Sequence, residues 1–104
     1  MLRNLFTDRP ITKGESKTTD LQAEANKMLK AGRLQDALDL YTLIELRKPN
    51  EPGWARRKGD LLLRMGRRAD AALAYERAAH LYAARGFEAR AAATAKLVRA
   101  ITPV

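Results

Sequence analysis

A repeated spacing of glycine, alanine and tyrosine constrains this chain more than any other feature of its sequence. Gly32 is followed by four residues, Ala37, three residues and Tyr41, and the same spacing begins again 34 residues later at Gly66. Self-similarity at a fixed period of about 20–50 residues is typical of folds in which one supersecondary unit stacks on the next. The sequence therefore predicts a stack of similar units.

Each residue type of this spacing has a physical role in a pair of antiparallel helices. A glycine accepts positive φ without a steric penalty, so it can end one helix and let the chain turn sharply into the next. An alanine lets two helices approach closely, and an aromatic ring fills the space against the following helix. No segment alternates apolar and polar residues over the length of a strand. We therefore predict an all-α protein of about five antiparallel helices.

The helix boundaries are predicted from capping and helix-breaking residues. Thr19 and Gln22 have the spacing of a capping box, which places the start of the first helix at Thr19. That helix is expected to end at about Ala31. The other four are predicted at about Leu34 to residue 48, Trp54 to Met65, Arg68 to Ala84 and Phe87 to Ile101, with turns at Gly32, 49–53, Gly66 and Gly86.

The 34-residue period, the spacing from Gly32 to Tyr41 and the proline at Pro49 together resemble the tetratricopeptide repeat (TPR). Gly59 also matches the glycine of the family's first helix, whereas the other positions of that helix differ. Ala83 stands where the second unit should have its proline. The resemblance implies a right-handed helical solenoid over residues 18–104, with units at about 18–51 and 52–85.

The ends of the chain depart from a regular repeat. Gly86 follows Gly66 after only 20 residues. The long fourth helix is therefore expected to close the second unit and to open a shortened third one, with residues 87–103 as a capping helix. Residues 1–17 are interpreted as a flexible basic leader, although the apolar residues at 2, 5 and 6 leave open a short docking helix. The chain is expected to be the N-terminal part of a longer protein, such as a bacterial regulator.

The residue types present argue against an enzyme. The chain has no cysteine and a single histidine, His80, so we expect neither a Cys- or His-ligated metal nor a cofactor. It has no nucleophile motif, no Gly-rich phosphate loop and no paired-carboxylate signature. Glu24 and Asp60 are interpreted as ordinary surface carboxylates. Since no secretory signal or membrane-length apolar run is present, a cytoplasmic location is expected.

The net charge of +8 is unevenly distributed along the sequence. Residues 18–51 carry a net charge of −1, and residues 52–104 carry +7. Such asymmetry favours an acidic protein partner, a nucleic acid or an anionic membrane surface. A genome that favours arginine codons would produce the same bias without any binding function.

The TPR resemblance also implies a binding groove. Members of the family bind extended peptides in a concave groove lined by the first helix of each unit, so we expect a scaffold or adaptor module that binds an acidic protein segment. The predicted partner-binding residues are Asn26, Lys30, Arg56, Arg57, Asp60, Arg64, Arg77 and His80. Asn26 and Arg77 are similar to two residues of the family's carboxylate clamp, whereas Gln22, Arg57 and Leu73 differ from the residues expected at its other positions.

Two other interpretations of these charged residues stay open. Charged residues on exposed helix faces need no function at all. Alternatively, the basic C-terminal half binds nucleic acid, although no aromatic residue is interleaved with the arginines for base stacking. The sequence leaves the oligomeric state undecided.

Overall fold

Five helices make up the computed structural model, which describes residues 14–102 and the side chains from Thr18 onward. They are α1 (Gly14–Lys30), α2 (Leu34–Arg47), α3 (Pro52–Arg64), α4 (Arg68–Ala84) and α5 (Glu88–Ile101). No strand occurs within this range, so the all-α prediction is confirmed there. None of these helices combines the length and the apolar character needed to cross a membrane.

The first helix begins earlier than its capping signal predicts. α1 starts at Gly14, five residues before Thr19. Thr19 therefore lies inside the helix and is not its N-cap, because nothing between Gly14 and Thr19 breaks the helix. Residues 14–17 of the predicted leader thus belong to α1. The remainder of that leader, including the proposed docking helix, lies outside the described residues.

Three helix ends share one turn geometry. Gly32, Gly66 and Gly86 have φ values of 78°, 81° and 82°, in the left-handed region that favours glycine. The amide of Gly32 donates to the carbonyl of Leu29, and the amide of Arg33 donates to that of Met28; the two other glycines repeat both bonds. These bonds define a Schellman motif, which satisfies the last carbonyl groups of each helix.

The residue after each of these glycines is the N-cap of the next helix. Arg33, Arg67 and Phe87 have nearly equal angles, with φ of −88°, −95° and −90° and ψ of 73°, 73° and 71°. Their carbonyls accept the amide N–H of the alanine four residues later. The segment from the glycine to the alanine is therefore the whole connection between two helices, from the end of one helix to the first hydrogen bond of the next.

The helices pack mainly on their neighbours in the chain, α1 on α2, α2 on α3, α3 on α4 and α4 on α5. The short connections make such neighbours antiparallel. One buried core runs through all five helices and consists of Ala25, Ala37, Leu38, Tyr41, Ile44, Trp54, Leu61, Leu62, Ala71, Tyr75 and Ile101. The last of these residues belongs to α5, so this helix covers part of the core.

Candidate functional site

A cavity opens between α1 and α3, beside the buried residue Tyr41 of α2. We call it the α1–α3 groove; its lining residues are Leu29, Tyr41, Arg57, Asp60, Leu61 and Arg64, and its empty volume is about 440 Å³. Tyr41 and Leu61 are buried, and Leu29 is half-buried. The groove therefore combines an apolar floor with a charged wall that comes entirely from α3.

The charged wall follows from the helical register of α3. Arg57, Asp60 and Arg64 are related by three and four residues, which places them along one helix face, and the two arginines are about 10 Å apart along the axis. The guanidinium carbon of Arg57 lies 4.6 Å from the ring centroid of Trp54. In such a cation–π contact the flat face of the guanidinium lies against the ring, and the N–H donors at its edge stay available for a ligand.

Neither arginine of the wall pairs with a carboxylate of the described residues. Among residues 18–102, no carboxylate lies within 4 Å of a nitrogen of Arg57 or Arg64. Both side chains belong to exposed residues. The groove therefore presents two cationic groups whose N–H donors have no carboxylate acceptor within residues 18–102.

Asp60 is held in place from the side of α4. The hydroxyl of Tyr75 donates a 2.6 Å hydrogen bond to Asp60 Oδ1. Burial, together with this bond to Asp60, raises the pKa of Tyr75 to about 12, so the hydroxyl stays a donor well into the alkaline range. Asp60 Oδ1 thus has a fixed partner outside the groove.

Arg56 lies near Asp60 and Tyr75 and does not line the α1–α3 groove. Its Nε lies 3.5 Å from Asp60 Oδ1, an ion-pair contact without hydrogen-bond geometry, and its guanidinium carbon is 6.0 Å from the ring centroid of Tyr75. The sequence predicts both Arg56 and Arg57 as partner-binding residues, but only Arg57 lines the groove. A helix turns about 100° per residue, so adjacent residues point in different directions.

The structure places Arg77 outside the α1–α3 groove. Its Nε donates a 2.6 Å hydrogen bond to Glu45 of α2, and its Nη2 donates to the carbonyl of Pro49 at 3.3 Å. Lys58 of α3 also donates to Glu45, at 3.1 Å. Through Glu45, Arg77 of α4 is linked to α2 and to Lys58 of α3. Tyr75, which bonds to Asp60 of α3, occupies a different face of α4.

The remaining predicted residues are also separate from the groove. His80 is exposed and lines a cavity between α4 and α5 with Glu76, Val98 and Arg99. Asn26 and Lys30 are exposed on α1 and do not line the α1–α3 groove, although Leu29 does. Of the eight predicted partner-binding residues, the groove brings together Arg57, Asp60 and Arg64.

A second groove, between α2 and α4, was missed by the sequence prediction. One cavity there is lined by Leu38, Thr42, Lys58, Leu62, Arg67, Asp70, Leu73, Ala74 and Arg77. The next is lined by Thr42, Glu45, Leu46, Pro49, Lys58 and Arg77, so the two share three residues and form one continuous α2–α4 groove. The available sequence signal was the pair Leu46 and Leu73, which lie outside the apolar stripes of their helices.

The chain matches no protein-family model, and neither a curated protein nor a solved structure is significantly similar to it. Its function is therefore inferred from its own residues and their arrangement.

Proposed function

We propose that this chain is a TPR-like right-handed solenoid that binds an acidic segment of another protein in the α1–α3 groove. The observation that carries the proposal is the pair Arg57 and Arg64, which have no carboxylate partner among the described residues and lie along an apolar-floored cavity. Such an arrangement suits binding, since it offers donors and apolar contact but no nucleophile beside a general base.

The solenoid part of the proposal is supported by the repeated turn. The glycines at 32 and 66 are one period apart, and each ends the first helix of a pair with the same backbone angles and hydrogen bonds. A third turn of the same kind at Gly86 leads into α5, which contributes Ile101 to the core. Stacked helix pairs followed by a covering helix are the organisation that a short repeat protein requires.

The energetics favour a carboxylate ligand. An arginine fork donates two parallel hydrogen bonds to a carboxylate, and such a charged contact contributes about 1.5–3 kcal/mol when water is excluded. A contact at the solvated rim contributes less than about 1 kcal/mol. The apolar floor formed by Leu29, Tyr41 and Leu61 excludes water on one side, so Arg57 and Arg64 are expected to bind more strongly than other surface arginines.

A protein segment fits this groove better than a nucleic acid does. Asp60 lies between the two arginines and repels a continuous row of phosphates. The aromatic rings nearest the wall, Tyr41 and Trp54, are buried and form a tilted pair with centroids 6.1 Å apart, so they offer no open face for stacked bases. A peptide can place its carboxylates against the arginines and neutral atoms against Asp60.

The test compares binding of a labelled peptide of alternating glutamate and leucine to the wild-type chain and to the double variant Arg57→Glu, Arg64→Glu. We expect at least a tenfold loss of affinity, because about 1.4 kcal/mol corresponds to a factor of ten. The matched control is Arg90→Glu, Arg99→Glu, which changes the charge equally on α5 and should have little effect. Thermal melting of each variant confirms that the fold is retained.

A salt series with duplex and single-stranded DNA completes the test. Binding to DNA that persists at physiological salt with a steep salt dependence would favour a nucleic-acid function, since phosphate contacts release counterions. Loss of peptide binding in the α5 control, with no loss in the groove variant, would show that the partner surface lies elsewhere.

A further inference from the structure

The α2–α4 groove has a size and shape that the proposed function does not explain. Its two cavities have empty volumes of about 740 and 660 Å³. Along α2 the lining extends from Leu38 to Leu46, which is about 12 Å of helix. Because α2 and α4 are each antiparallel to α3, they are parallel to each other and form two walls, with Lys58 and Leu62 of α3 between them. The length of this lining corresponds to about two turns of a helix laid along the groove.

The walls of this groove carry two solvent-exposed leucines. Leu46 of α2 is 73% exposed and Leu73 of α4 is 65% exposed, the highest values among the large hydrophobic residues of the described chain. Each leucine lines one of the two cavities. Single exposed leucines are common and need no function, but these two lie on opposite walls of one groove, so one apolar ligand laid along the groove can contact both.

The middle of the groove carries an unbalanced positive charge. Glu45 is the only carboxylate within ion-pair distance of Lys58 and Arg77 among residues 18–102, so the three side chains sum to +1. At the far end, Arg67 and Asp70 pair with each other at 2.8 Å.

Arg77 is the group that can receive a ligand carboxylate. Its side chain is 50% exposed, whereas those of Lys58 and Glu45 are 21% and 11% exposed. Its Nε and Nη2 are used by Glu45 and Pro49, which leaves Nη1 without a hydrogen-bond acceptor in the described part of the chain. One further carboxylate would balance the charge.

We propose that the α2–α4 groove is a second docking site, for an amphipathic helix of a partner protein that carries one carboxylate within its apolar face. Its leucines contact Leu46 and Leu73, and its carboxylate accepts a hydrogen bond from Arg77. A spacing of leucine, glutamate three residues later and leucine four residues after that places all three on one face. This site is independent of Arg57 and Arg64.

Charge argues against the two other occupants that the chain itself supplies. A second copy carries the same net charge of +8, which opposes self-association at a groove that is itself positive. Residues 1–13 contain three basic residues and one acidic residue, so they do not complement this charge either. Both alternatives become outcomes of the test.

The test uses a stapled helical peptide with the leucine–glutamate–leucine spacing and its glutamate-to-glutamine analogue. The wild-type chain should bind the glutamate peptide more tightly, by about tenfold. Leu46→Ser, Leu73→Ser should weaken both peptides at least tenfold and keep the preference between them, whereas Arg77→Gln should abolish that preference. The matched control Leu43→Ser changes an α2 leucine, 39% exposed, that does not line the groove, and should leave both affinities unchanged.

Several results would overturn this proposal. They are absence of binding to the wild-type chain, an equal effect of Leu43→Ser, or a preference for glutamate that survives Arg77→Gln. Sedimentation showing a dimer that Leu46→Ser, Leu73→Ser dissociates would assign the groove to a second copy. Tighter peptide binding after removal of residues 1–13 would assign it to that segment. The variant Arg57→Glu, Arg64→Glu should bind both stapled peptides normally, so this site and the α1–α3 groove can fail separately.

Discussion

The ring of Tyr75 lies so close to Gly59 that a Cβ built on this glycine would be 2.5 Å from both Cδ1 and Cε1 of the ring. Gly59 belongs to α3 and Tyr75 to α4, so this contact sets how closely the two helices approach. The hydroxyl at the far end of the ring bonds to Asp60, the next residue of α3. Glycine inside a helix costs about 1 kcal/mol relative to alanine. The close approach of the Tyr75 ring, which leaves no room for a Cβ, explains why position 59 is a glycine.

Gly59→Ala should therefore destabilise the fold even though alanine is the better helix former. Overpacking of a close contact costs about 1–3 kcal/mol, and a Cβ only 2.5 Å from the ring places this cost at the upper end of the range, above the gain of about 1 kcal/mol in helix propensity. The free energy of unfolding is measured by urea titration. The control is Gly53→Ala in the first turn of α3, where a Cβ meets nothing within 4 Å and the change should be neutral or stabilising. Equal stability of the two variants would contradict the contact.

Tyr75 should make stability fall at alkaline pH. Its pKa is raised from 10.0 to about 12 in the folded chain, so the folded state retains a proton that the unfolded state has lost between these values. The contribution of Tyr75 to the free energy of unfolding is therefore fully present below pH 10. It is lost as the pH rises towards 12, and the loss amounts to about 2–3 kcal/mol. Tyr75→Phe should lose about 1 kcal/mol at neutral pH with its hydrogen bond to Asp60, and should show a smaller alkaline decline. Tyr82→Phe retains Tyr75 and should keep the full decline.

Glu45 should be the most costly carboxylate to remove. It is 8% exposed and joins three helices through Lys58 and Arg77. Glu45→Ala leaves two partly buried cations without their partner and should cost about 2–4 kcal/mol, less than a fully buried pair because Arg77 is half-exposed. The control Glu24→Ala breaks an exposed pair with Lys27 at 3.9 Å and should cost below about 1 kcal/mol. A similar cost for both would show that the Glu45 pairs are solvated.

Deletion of residues 87–104 should leave a truncated chain that is prone to aggregation. The deletion removes Ile101 from the core, and it removes Phe87, whose ring packs edge-on against Tyr82 with centroids 6.4 Å apart. The exposed face of α4 is expected to cause aggregation or loss of cooperative melting. Calorimetry and light scattering measure both effects, and Lys96→Ala on the outer part of α5 serves as control. A soluble truncation that melts unchanged would show that α5 is an appendage.

Local signals were sufficient to predict most helix boundaries. The ends at Gly32, Gly66 and Gly86 were predictable because the Schellman motif depends on one glycine and its immediate neighbours. The start of α1 was not, because the capping box at Thr19 competes with continuation of the helix, and no breaker separates Thr19 from Gly14. A cap motif is informative only where the preceding residue cannot itself be helical.

The candidate site was predictable where it depends on one helix and unpredictable where it depends on several. The register of α3 alone places Arg57, Asp60 and Arg64 on one helix face, and packing against α1 and α2 brings that face to the groove. Arg77 required knowledge of which face of α4 meets α2, and that depends on how Tyr75 packs against Gly59. The α2–α4 groove also depends on tertiary packing, because the sequence places Leu46 and Leu73 outside the apolar stripes of their helices but does not show that both border one groove.

The shared geometry of the glycine turns makes the chain extensible in whole helix pairs. The stretch from Arg33 to Gly66 begins with the same N-cap angles as the stretch that follows it, and both begin with the chain pointing the same way. A tandem duplication of residues 33–66 would therefore need no new loop at its junction. The step from Gly66 to Gly86 contains one helix, so its duplication would reverse the direction of everything after it. Lengthening by residues 33–66 therefore keeps the direction of the helices that follow, whereas lengthening by residues 67–86 inverts it.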